Sequence, residues 1–300
     1  NPGPDFNGNV REGNNLFATS IVAIEAATGE YRWHFQQVHH DLWDYDSPSP
    51  VVLFDIEIDG TLRKALAEPS KTGWVYILDR ITGEPLIGIE ERPVPQDEHQ
   101  RTSPTQPYPI GDAFVPQQVE IAPEGYPPLV NQGRIFTPFG PEGQVMKPGH
   151  SGGSNWSPSS YDRETGLLYV CATDRMSFFR GGIYEDYPME VGDRYLGGRF
   201  GALPIHMSGI FAAMDMRTNT IAWRTRWRNR CHGGSVVTAG GLVFTGRHDG
   251  RLTALDSSNG DVLWEFQTGA GANAPAAIFE HEGTQYVAAF SAGNAYIGSP

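Results

Sequence analysis

Short apolar stretches separated by polar turns recur along the chain, and this pattern predicts strands rather than helices. The clearest example is Val-Ala-Ile-Glu-Ala-Ala-Thr-Gly-Glu-Tyr-Arg-Trp at residues 22–33. Similar phrases ending in tryptophan lie at residues 213–223 and 254–264, and a weaker copy without the tryptophan lies at residues 76–83. Each copy predicts a strand, a polar turn with glycine or asparagine where positive φ is needed, and a second strand.

The spacing of the repeat indicates the architecture. Trp223 and Trp264 are 41 residues apart (264 − 223), a period typical of four-stranded propeller blades. A blade cannot bury both of its faces alone, so we expect the repeated tryptophans to pack on neighbouring blades rather than to act in catalysis. The sequence therefore predicts an all-β fold, in which residues 1–300 supply about four to five blades of a single β-propeller domain.

Two stretches interrupt the repeat. Residues from about 90 to 158 are rich in proline, glycine and glutamine, and a second interruption runs from about 176 to 208. We expect both to be long irregular inserts. Loops of this length inside a compact domain usually serve as lids or partner surfaces.

The composition fits many short strands joined by tight turns, because 36 of the 300 residues are glycine, 23 are proline and 39% are hydrophobic. The net charge of −13 argues against nucleic acid or an anionic membrane as a partner. No run of about 18 apolar residues predicts a membrane span. The two cysteines, Cys171 and Cys231, imply no disulfide framework, and we expect both to be small buried strand residues.

The densest polar chemistry lies at residues 39–46, His-His-Asp-Leu-Trp-Asp-Tyr-Asp. This stretch follows a strand-like segment and runs into Ser-Pro-Ser-Pro, whose prolines cannot continue a central strand, so it predicts a loop. Carboxylates that lie close together repel each other unless a cation or a proton intervenes. A metal ion is therefore one candidate occupant of Asp44 and Asp46, and an acidic hydrogen-bonded loop without a ligand is the alternative.

The repeated phrase and this loop together resemble the dehydrogenases that depend on pyrroloquinoline quinone (PQQ), which are eight-bladed propeller quinoproteins of the bacterial periplasm. The doubled histidine, Pro-Ser-Lys-Thr-Gly at residues 69–73 and Pro-Thr-Gln-Pro at residues 104–107 are most similar to the membrane-bound glucose and polyol dehydrogenase branch. The resemblance covers essentially the whole chain. It corresponds to roughly the second half of a family member, which implies that the first blades belong to a remaining N-terminal half.

The resemblance implies roles for particular residues. Asp44 matches the catalytic base, and Lys71 matches the cation that bonds the reactive carbonyl region of the quinone. Asn155, in Gly-Gly-Ser-Asn-Trp at residues 152–156, matches an amide contact to PQQ, and we include the adjacent Trp156 among the cofactor-binding residues.

The resemblance also implies a metal ion, either Ca²⁺ or a lanthanide. Asn1, Asp44 and Asp46 are the candidate ligands; Asp46 matches an acid that accompanies lanthanide use in one subfamily but also occurs in the glucose branch. The family's glutamate ligand, its adjacent-cysteine disulfide and the tryptophan beneath the quinone have no counterparts in this chain. At residues 232–234 the chain has His-Gly-Gly where the methanol branch has Trp-Gly-Gly.

These residues are consistent with oxidation of an alcohol, polyol or sugar hydroxyl. No side chain accepts hydride, so a cofactor is required, and Asp44 would take the hydroxyl proton. The expected electron acceptor is a periplasmic cytochrome or a membrane quinone. The alternative is a non-catalytic periplasmic propeller that binds other proteins, but a scaffold has no reason to retain Asp44, Lys71 and Asn155 together.

Overall fold

The computed structural model describes residues 2–119, 132–182 and 195–294. Regular structure within these ranges is almost entirely β, with one short 3-10 helix at Gly8–Val10. The strands are β1 (Ser20–Ile24), β2 (Tyr31–Gln36), β3 (Val52–Ile58), β4 (Thr61–Pro69), β5 (Val75–Asp79), β6 (Ile89–Pro93), β7 (Thr105–Pro109), β8 (Gln132–Gly133), β9 (Gln144–Met146), β10 (Ser160–Asp162), β11 (Leu167–Gly181), β12 (Gly198–Asp215), β13 (Thr220–Trp227), β14 (Val236–Val237), β15 (Leu242–Gly246), β16 (Arg251–Asp256), β17 (Val262–Gln267), β18 (Ala277–His281) and β19 (Thr284–Ala288).

The strands form antiparallel meanders, which is the arrangement of propeller blades. Strands β14 to β17 make one four-stranded sheet, and β10 to β13 make another that β9 and β8 extend. Strands β3 to β5 form a three-stranded sheet, and β1–β2 and β18–β19 are two-stranded. The chain is thus a β-propeller, as predicted. No helix in the described ranges is long and apolar enough to cross a bilayer.

The sequence repeat is also a structural repeat. In each full copy an alanine lies opposite the tryptophan, and the register shifts at the next residue. The pairs are Ala23 with Trp33, Ala213 with Trp223 and Ala254 with Trp264. The shared bulge bends each hairpin in the same way, so the copies present their tryptophans at equivalent positions.

Two of the repeated tryptophans pack on the turn glycine of a later copy. A Cβ atom added to Gly83 would lie 2.5 Å from the ring of Trp33, and one added to Gly260 would lie 2.5 Å from the ring of Trp223. Only a residue without a side chain fits beneath each ring. The prediction of packing on a neighbouring blade is confirmed for Trp33 and Trp223, whereas Trp264 is 47% exposed.

The core lies between the sheets. One cluster packs apolar residues of β3, β4 and β5 against those of β11 and β12, with Phe54 and Ile77 on one side and Val170 and Ile210 on the other. A second cluster, which contains Trp43, lies beneath the loop of residues 39–46. Packing in this second cluster holds the acidic loop in place.

The structure differs from the prediction of an irregular insert at residues 176–208. In its described part, β11 and β12 continue as one long hairpin, in which Ser177 pairs with Ala202 and Gly181 pairs with Gly198. Side chains in residues 177–181 alternate between more and less buried positions, but the glycines and the arginine obscure this period in the sequence. The stretch from 90 to 158 holds only short strands among loops, and its residues 120–131 lie outside the described ranges.

The interpretation that the two cysteines imply no disulfide framework is wrong. Cys171 and Cys231 form a disulfide, with their Cα atoms 5.3 Å apart. Both are buried, as expected, but only Cys171 lies in a strand. They are separated by 60 residues and meet because Cys231 follows β13, which returns alongside β12 and β11. Sequence spacing cannot show this proximity, since the hairpin lies between them.

Candidate functional site

The acidic loop is held by its aromatic residues. Trp43 is buried and donates from Nε1 to the carbonyl oxygen of Thr137 at 2.7 Å. The buried hydroxyl of Tyr45 donates to the carbonyl oxygen of Pro148 at 2.6 Å. Because alternate residues are anchored in the core, the intervening carboxylates of Asp44 and Asp46 are left partly exposed.

The backbone of the loop is fixed as well. Asp41 is buried, and its Oδ1 accepts a hydrogen bond of 2.9 Å from the backbone N–H of Trp43. Asp44 has a φ of +60°, a left-handed conformation that aspartate and asparagine tolerate better than most residues. The loop geometry therefore favours a short acidic or amide side chain at position 44.

The histidines at the start of the loop make structural contacts. Nε2 of His39 lies 3.0 Å from Oε1 of Glu91, and its Nδ1 lies 2.8 Å from Oε1 of Gln36. His40 is buried, and its two ring nitrogens lie 2.6 Å and 3.0 Å from the carbonyl oxygens of Gly13 and Gly8. These contacts hold the start of the loop in place.

Lys71 is the cation of the site. It lies in the turn after β4 and is buried. Its Nζ donates to the carbonyl oxygen of Asp44 at 2.8 Å and lies 3.3 Å from Asp44 Oδ2. The same Nζ also contacts Asp46 Oδ1. The two carboxylates thus converge on a cation, and in the protein itself this cation is Lys71.

A glycine-rich turn brings Asn155 to the same place. The N–H of Gly153 donates to the carbonyl oxygen of Lys71 at 2.8 Å. Gly152 has a φ of +72°, and a Cβ atom there would lie 2.2 Å from the Cβ of Lys71. Only glycine allows this close approach, which explains why Gly-Gly precedes Ser-Asn-Trp in the sequence.

Four predicted residues line one cavity of about 540 Å³: Asp44, Lys71, Asn155 and Trp156. Asn155 donates from Nδ2 to the carbonyl oxygen of Ser151 at 2.7 Å, and its Oδ1 accepts the N–H of Trp156 at 2.9 Å. Trp156 is 44% exposed, which leaves its aromatic ring available to a flat ligand. Of the two remaining predicted ligands, Asp46 contacts Lys71 without lining the cavity, and Asn1 lies outside the described residues.

The cavity also contains basic residues to which the sequence interpretation assigned no role. They are His150, Arg175, Arg230 and His232. Burial, reinforced by nearby cations, lowers the pKa of His150 to about 4 and that of His232 to about 4. Both imidazoles are therefore neutral near pH 7. A signal was present in the sequence: Arg175 interrupts an apolar strand, and His232, two residues after Arg230, directly precedes Gly-Gly.

Burial also governs the acids. It raises the pKa of Asp44 to about 6, although the charge of Lys71 opposes the shift. It raises the pKa of Asp41 to about 7, and the N–H of Trp43 opposes that shift. Burial is thus the largest influence on the pKa of Asp44 in the protein alone.

The donor chemistry suits a hard cation, because carboxylate oxygens are what Ca²⁺ and lanthanide ions prefer. The described residues, however, hold no cluster of three or more histidine, cysteine or acidic side chains that could bind a metal. Asp44 and Asp46 can supply two carboxylates toward the six to eight oxygens that Ca²⁺ takes. The other ligands would have to come from outside these residues or from a cofactor.

The comparisons with known proteins identify the class. The model of the PQQ family described as glucose/ethanol/alcohol dehydrogenase, beta-propeller domain, matches residues 1–187 and 208–287. The chain belongs to this family of PQQ-dependent dehydrogenases.

The relatives are enzymes. The chain is 30% identical over 298 residues to quinoprotein alcohol dehydrogenase PedH of Pseudomonas putida. The match covers 97% of this chain and 46% of that protein. Among solved structures it resembles quinohemoprotein alcohol dehydrogenase from Comamonas testosteroni (28% identity, TM-score 0.73, 94% of this chain and 40% of that one). It also resembles a europium-containing methanol dehydrogenase (25% identity, TM-score 0.72, 98% and 50%).

These matches bear out the family and leave finer points as predictions. The chain spans about half the length of the curated relatives it matches. Placement in the glucose and polyol branch stays a prediction, since the relatives named above are alcohol dehydrogenases. The alternative of a non-catalytic scaffold receives no support from them.

Proposed function

We propose that this chain forms one wall of the active site of a PQQ- and metal-dependent dehydrogenase that oxidises a hydroxyl group of an alcohol, a polyol or a sugar. The observation that carries the proposal is the pairing of Asp44 with Lys71 at 3.3 Å on the wall of a cavity of about 540 Å³. Alcohol dehydrogenases among the relatives support an alcohol as substrate. Polyols and sugars are included because of the sequence resemblance.

Asp44 supplies the base. Its carboxylate lines the cavity, is partly exposed and lies on an anchored loop, so it can approach a substrate hydroxyl and accept its proton. The backbone hydrogen bond from Lys71 and the left-handed φ at Asp44 limit the positions that the carboxylate can take. A fixed base lowers the entropy cost of reaching the reactive geometry.

Lys71 supplies positive charge. It keeps Asp44 and Asp46 together without mutual repulsion, and its ammonium group is buried at the cavity wall. A buried cation at this place stabilises negative charge that develops on a neighbouring oxygen. The aromatic face of Trp156 and the amide of Asn155 complete a wall that suits a flat, polar cofactor.

PQQ, when bound, supplies the hydride acceptor, and a metal ion with it supplies Lewis acidity. Lys71, Asn155 and Trp156 would hold the cofactor, while Asp44 and Asp46, with Asn1, would hold Ca²⁺ or a lanthanide. The europium-containing methanol dehydrogenase supports a lanthanide as one choice. The carboxylate chemistry of the loop is compatible with either ion.

The remaining half of the propeller is the proposed structural partner. Both ends of the described propeller expose apolar side chains: Val22, Ile24 and Tyr31 at one end, and Val262, Leu263, Trp264 and Phe266 at the other. Further blades would cover these faces, since exposed patches of this kind mark interaction surfaces. We further propose a periplasmic location and a periplasmic cytochrome or a membrane quinone as electron acceptor.

The test is dye-linked turnover by the complete protein loaded with PQQ and Ca²⁺ or a lanthanide, screened on alcohols, polyols and sugars. Asp44→Asn removes the base, and Asp59→Asn is the matched control. Asp59 also has a positive φ, +50°, but lies exposed in the hairpin between β3 and β4. We expect Asp44→Asn to lose turnover by at least about 100-fold and Asp59→Asn to retain it. Wild-type turnover by a folded Asp44→Asn protein would exclude Asp44 as the base.

A further inference from the structure

Two arginines face the cavity and have no anionic partner among the described residues. Arg175 extends from β11, and Arg230 lies in the segment after β13. The Nε atom of each is buried and makes no hydrogen bond, and neither guanidinium forms an ion pair within the part of the chain that the structure describes. A buried N–H donor is normally hydrogen-bonded, so the buried Nε–H group of each arginine is an unused donor.

The two guanidiniums lie close enough to affect each other. Burial lowers the pKa of Arg175, and burial together with the charge of Arg175 lowers that of Arg230. Two like charges held together in a partly buried site are costly unless an anion lies between or beside them. The neighbouring His150 and His232 are neutral near pH 7, so they do not supply further charge.

The rest of the cavity does not neutralise the arginines. Among the residues that line it, the acid is Asp44, and this carboxylate pairs with Lys71. Arg175 and Arg230 therefore leave a local positive excess in a chain whose net charge is −13. An anion drawn to this cavity is attracted by these groups and not by the overall field of the protein.

The disulfide holds the two arginines in place. Cys231 follows Arg230 directly, and Cys171 lies on the same strand as Arg175. The hydroxyl of Thr173 also donates to the carbonyl oxygen of Cys231, at 3.3 Å. The backbone on which both arginines are mounted is thus cross-linked, which preorganises the pair for a ligand.

We propose that Arg175 and Arg230 form a carboxylate-binding subsite in this cavity. The planar, forked donors of arginine match a carboxylate in two-point contacts. The inference rests on the proposed function, because the cavity is the one that contains Asp44 and Lys71. The carboxylate has two possible sources: PQQ, which is itself a polycarboxylate, and a substrate that carries a carboxylate as well as a hydroxyl.

The test compares Arg175→Gln and Arg230→Gln with Arg228→Gln in the complete protein. Arg228 is exposed and does not line the cavity, so its substitution removes the same charge elsewhere. One arm measures PQQ affinity by quenching of tryptophan fluorescence. The other measures kcat/KM for 4-hydroxybutyrate relative to 1-butanol at saturating PQQ. Loss of a charged two-point contact weakens binding by about 10- to 100-fold.

The outcomes separate the two sources. Weaker PQQ binding in both cavity variants, with the substrate ratio unchanged, supports the subsite and assigns the cofactor's carboxylate to it. Unchanged PQQ binding with a lower ratio for 4-hydroxybutyrate supports the subsite and assigns the substrate's carboxylate. If both cavity variants match Arg228→Gln in both arms, the subsite is overturned.

A failure of the proposed function would be seen separately. If the wild-type protein neither binds PQQ nor oxidises any alcohol, succinate titrated into the wild-type and variant proteins by calorimetry decides about the subsite. Succinate binding that the Arg175→Gln and Arg230→Gln variants lose would support it. Absent or unchanged binding would overturn it. Arg175→Lys, which keeps the charge and loses the fork, serves as a second variant if Arg175→Gln does not fold.

Discussion

The ammonium group of Lys71 lies 3.3 Å from Asp44 Oδ2 and donates to the Asp44 carbonyl oxygen at 2.8 Å. It also contacts the carboxylate of Asp46. One buried cation therefore holds two acids of a single loop and connects that loop to the turn after β4. The position and the charge of the proposed base both depend on Lys71, which makes this pair the centre of the site.

Replacing Lys71 by methionine removes this cation with little change in side-chain length. Asp44 and Asp46 would then repel each other, and we expect the kcat of the holoenzyme to fall by about 100-fold or more. Lys64→Met is the control, because Lys64 lies exposed on β4 and its loss should change kcat by no more than about twofold. Equal kcat values for the two variants would show that Lys71 has no part in the reaction.

The contact between Trp223 and Gly260 predicts a specific effect on stability. Gly260→Ala places a methyl group 2.5 Å from the ring and also meets a φ of +80°. Gly60→Ala meets a similar φ, +71°, with nothing within 4 Å. We expect Gly260→Ala to lower the free energy of unfolding by about 1–3 kcal/mol more than Gly60→Ala. Denaturant unfolding of both variants measures the difference. Equal losses in the free energy of unfolding would mean that the ring of Trp223 does not pack tightly on this turn.

The Cys171–Cys231 disulfide should contribute substantially to stability, because it closes a loop across 60 residues of sequence separation. We expect Cys171→Ala/Cys231→Ala to reduce the free energy of unfolding by about 2–4 kcal/mol. A reducing agent should lower the stability of the wild-type protein and leave the double variant unaffected. Two free thiols in the unreduced, denatured wild-type protein, counted by alkylation and mass spectrometry, would contradict the pairing.

Glu68 predicts a pH dependence of stability. Burial raises its pKa to about 8, while the side chain of Gln37 opposes the shift. The unfolded value is near 4.5, so the folded state binds more protons between these values, and the free energy of unfolding falls as pH rises through that window. In the wild-type protein the free energy of unfolding should fall by more than about 1 kcal/mol between about pH 5 and about pH 8, and Glu68→Gln should remove this fall. Urea unfolding of both proteins at the two pH values checks this prediction. The same change in the free energy of unfolding between the two pH values in the variant and the wild type would refute it.

The parts of the fold and the site that could be predicted from sequence are those encoded locally. The Trp33, Trp223 and Trp264 phrases each contain their own strand, turn and register shift, so a single copy is enough to indicate a blade hairpin. Asp44 and Lys71 lie in loops with distinct residue patterns. Their contact itself is long-range, and the resemblance to a known family was needed to connect them.

The parts that could not be predicted depend on contacts between distant strands. The alternation in the long hairpin of β11 and β12 is obscured by glycines, and Cys171 meets Cys231 only because β13 returns beside this hairpin. The same hairpin carries Arg175 to the cavity where Arg230 lies. A charged residue inside an apolar strand was visible in the sequence, but nothing near it in the chain revealed what it faces.

The most direct test of the central claim is the absorption spectrum of the complete protein, loaded with PQQ and Ca²⁺, followed through a single addition of alcohol. We expect the wild-type protein to show bound quinone absorbance that the alcohol bleaches. Asp44→Asn should bind the quinone with its absorbance unchanged by the alcohol. A wild-type protein that binds no quinone, or an Asp44→Asn protein bleached as fast as the wild type, would contradict the account.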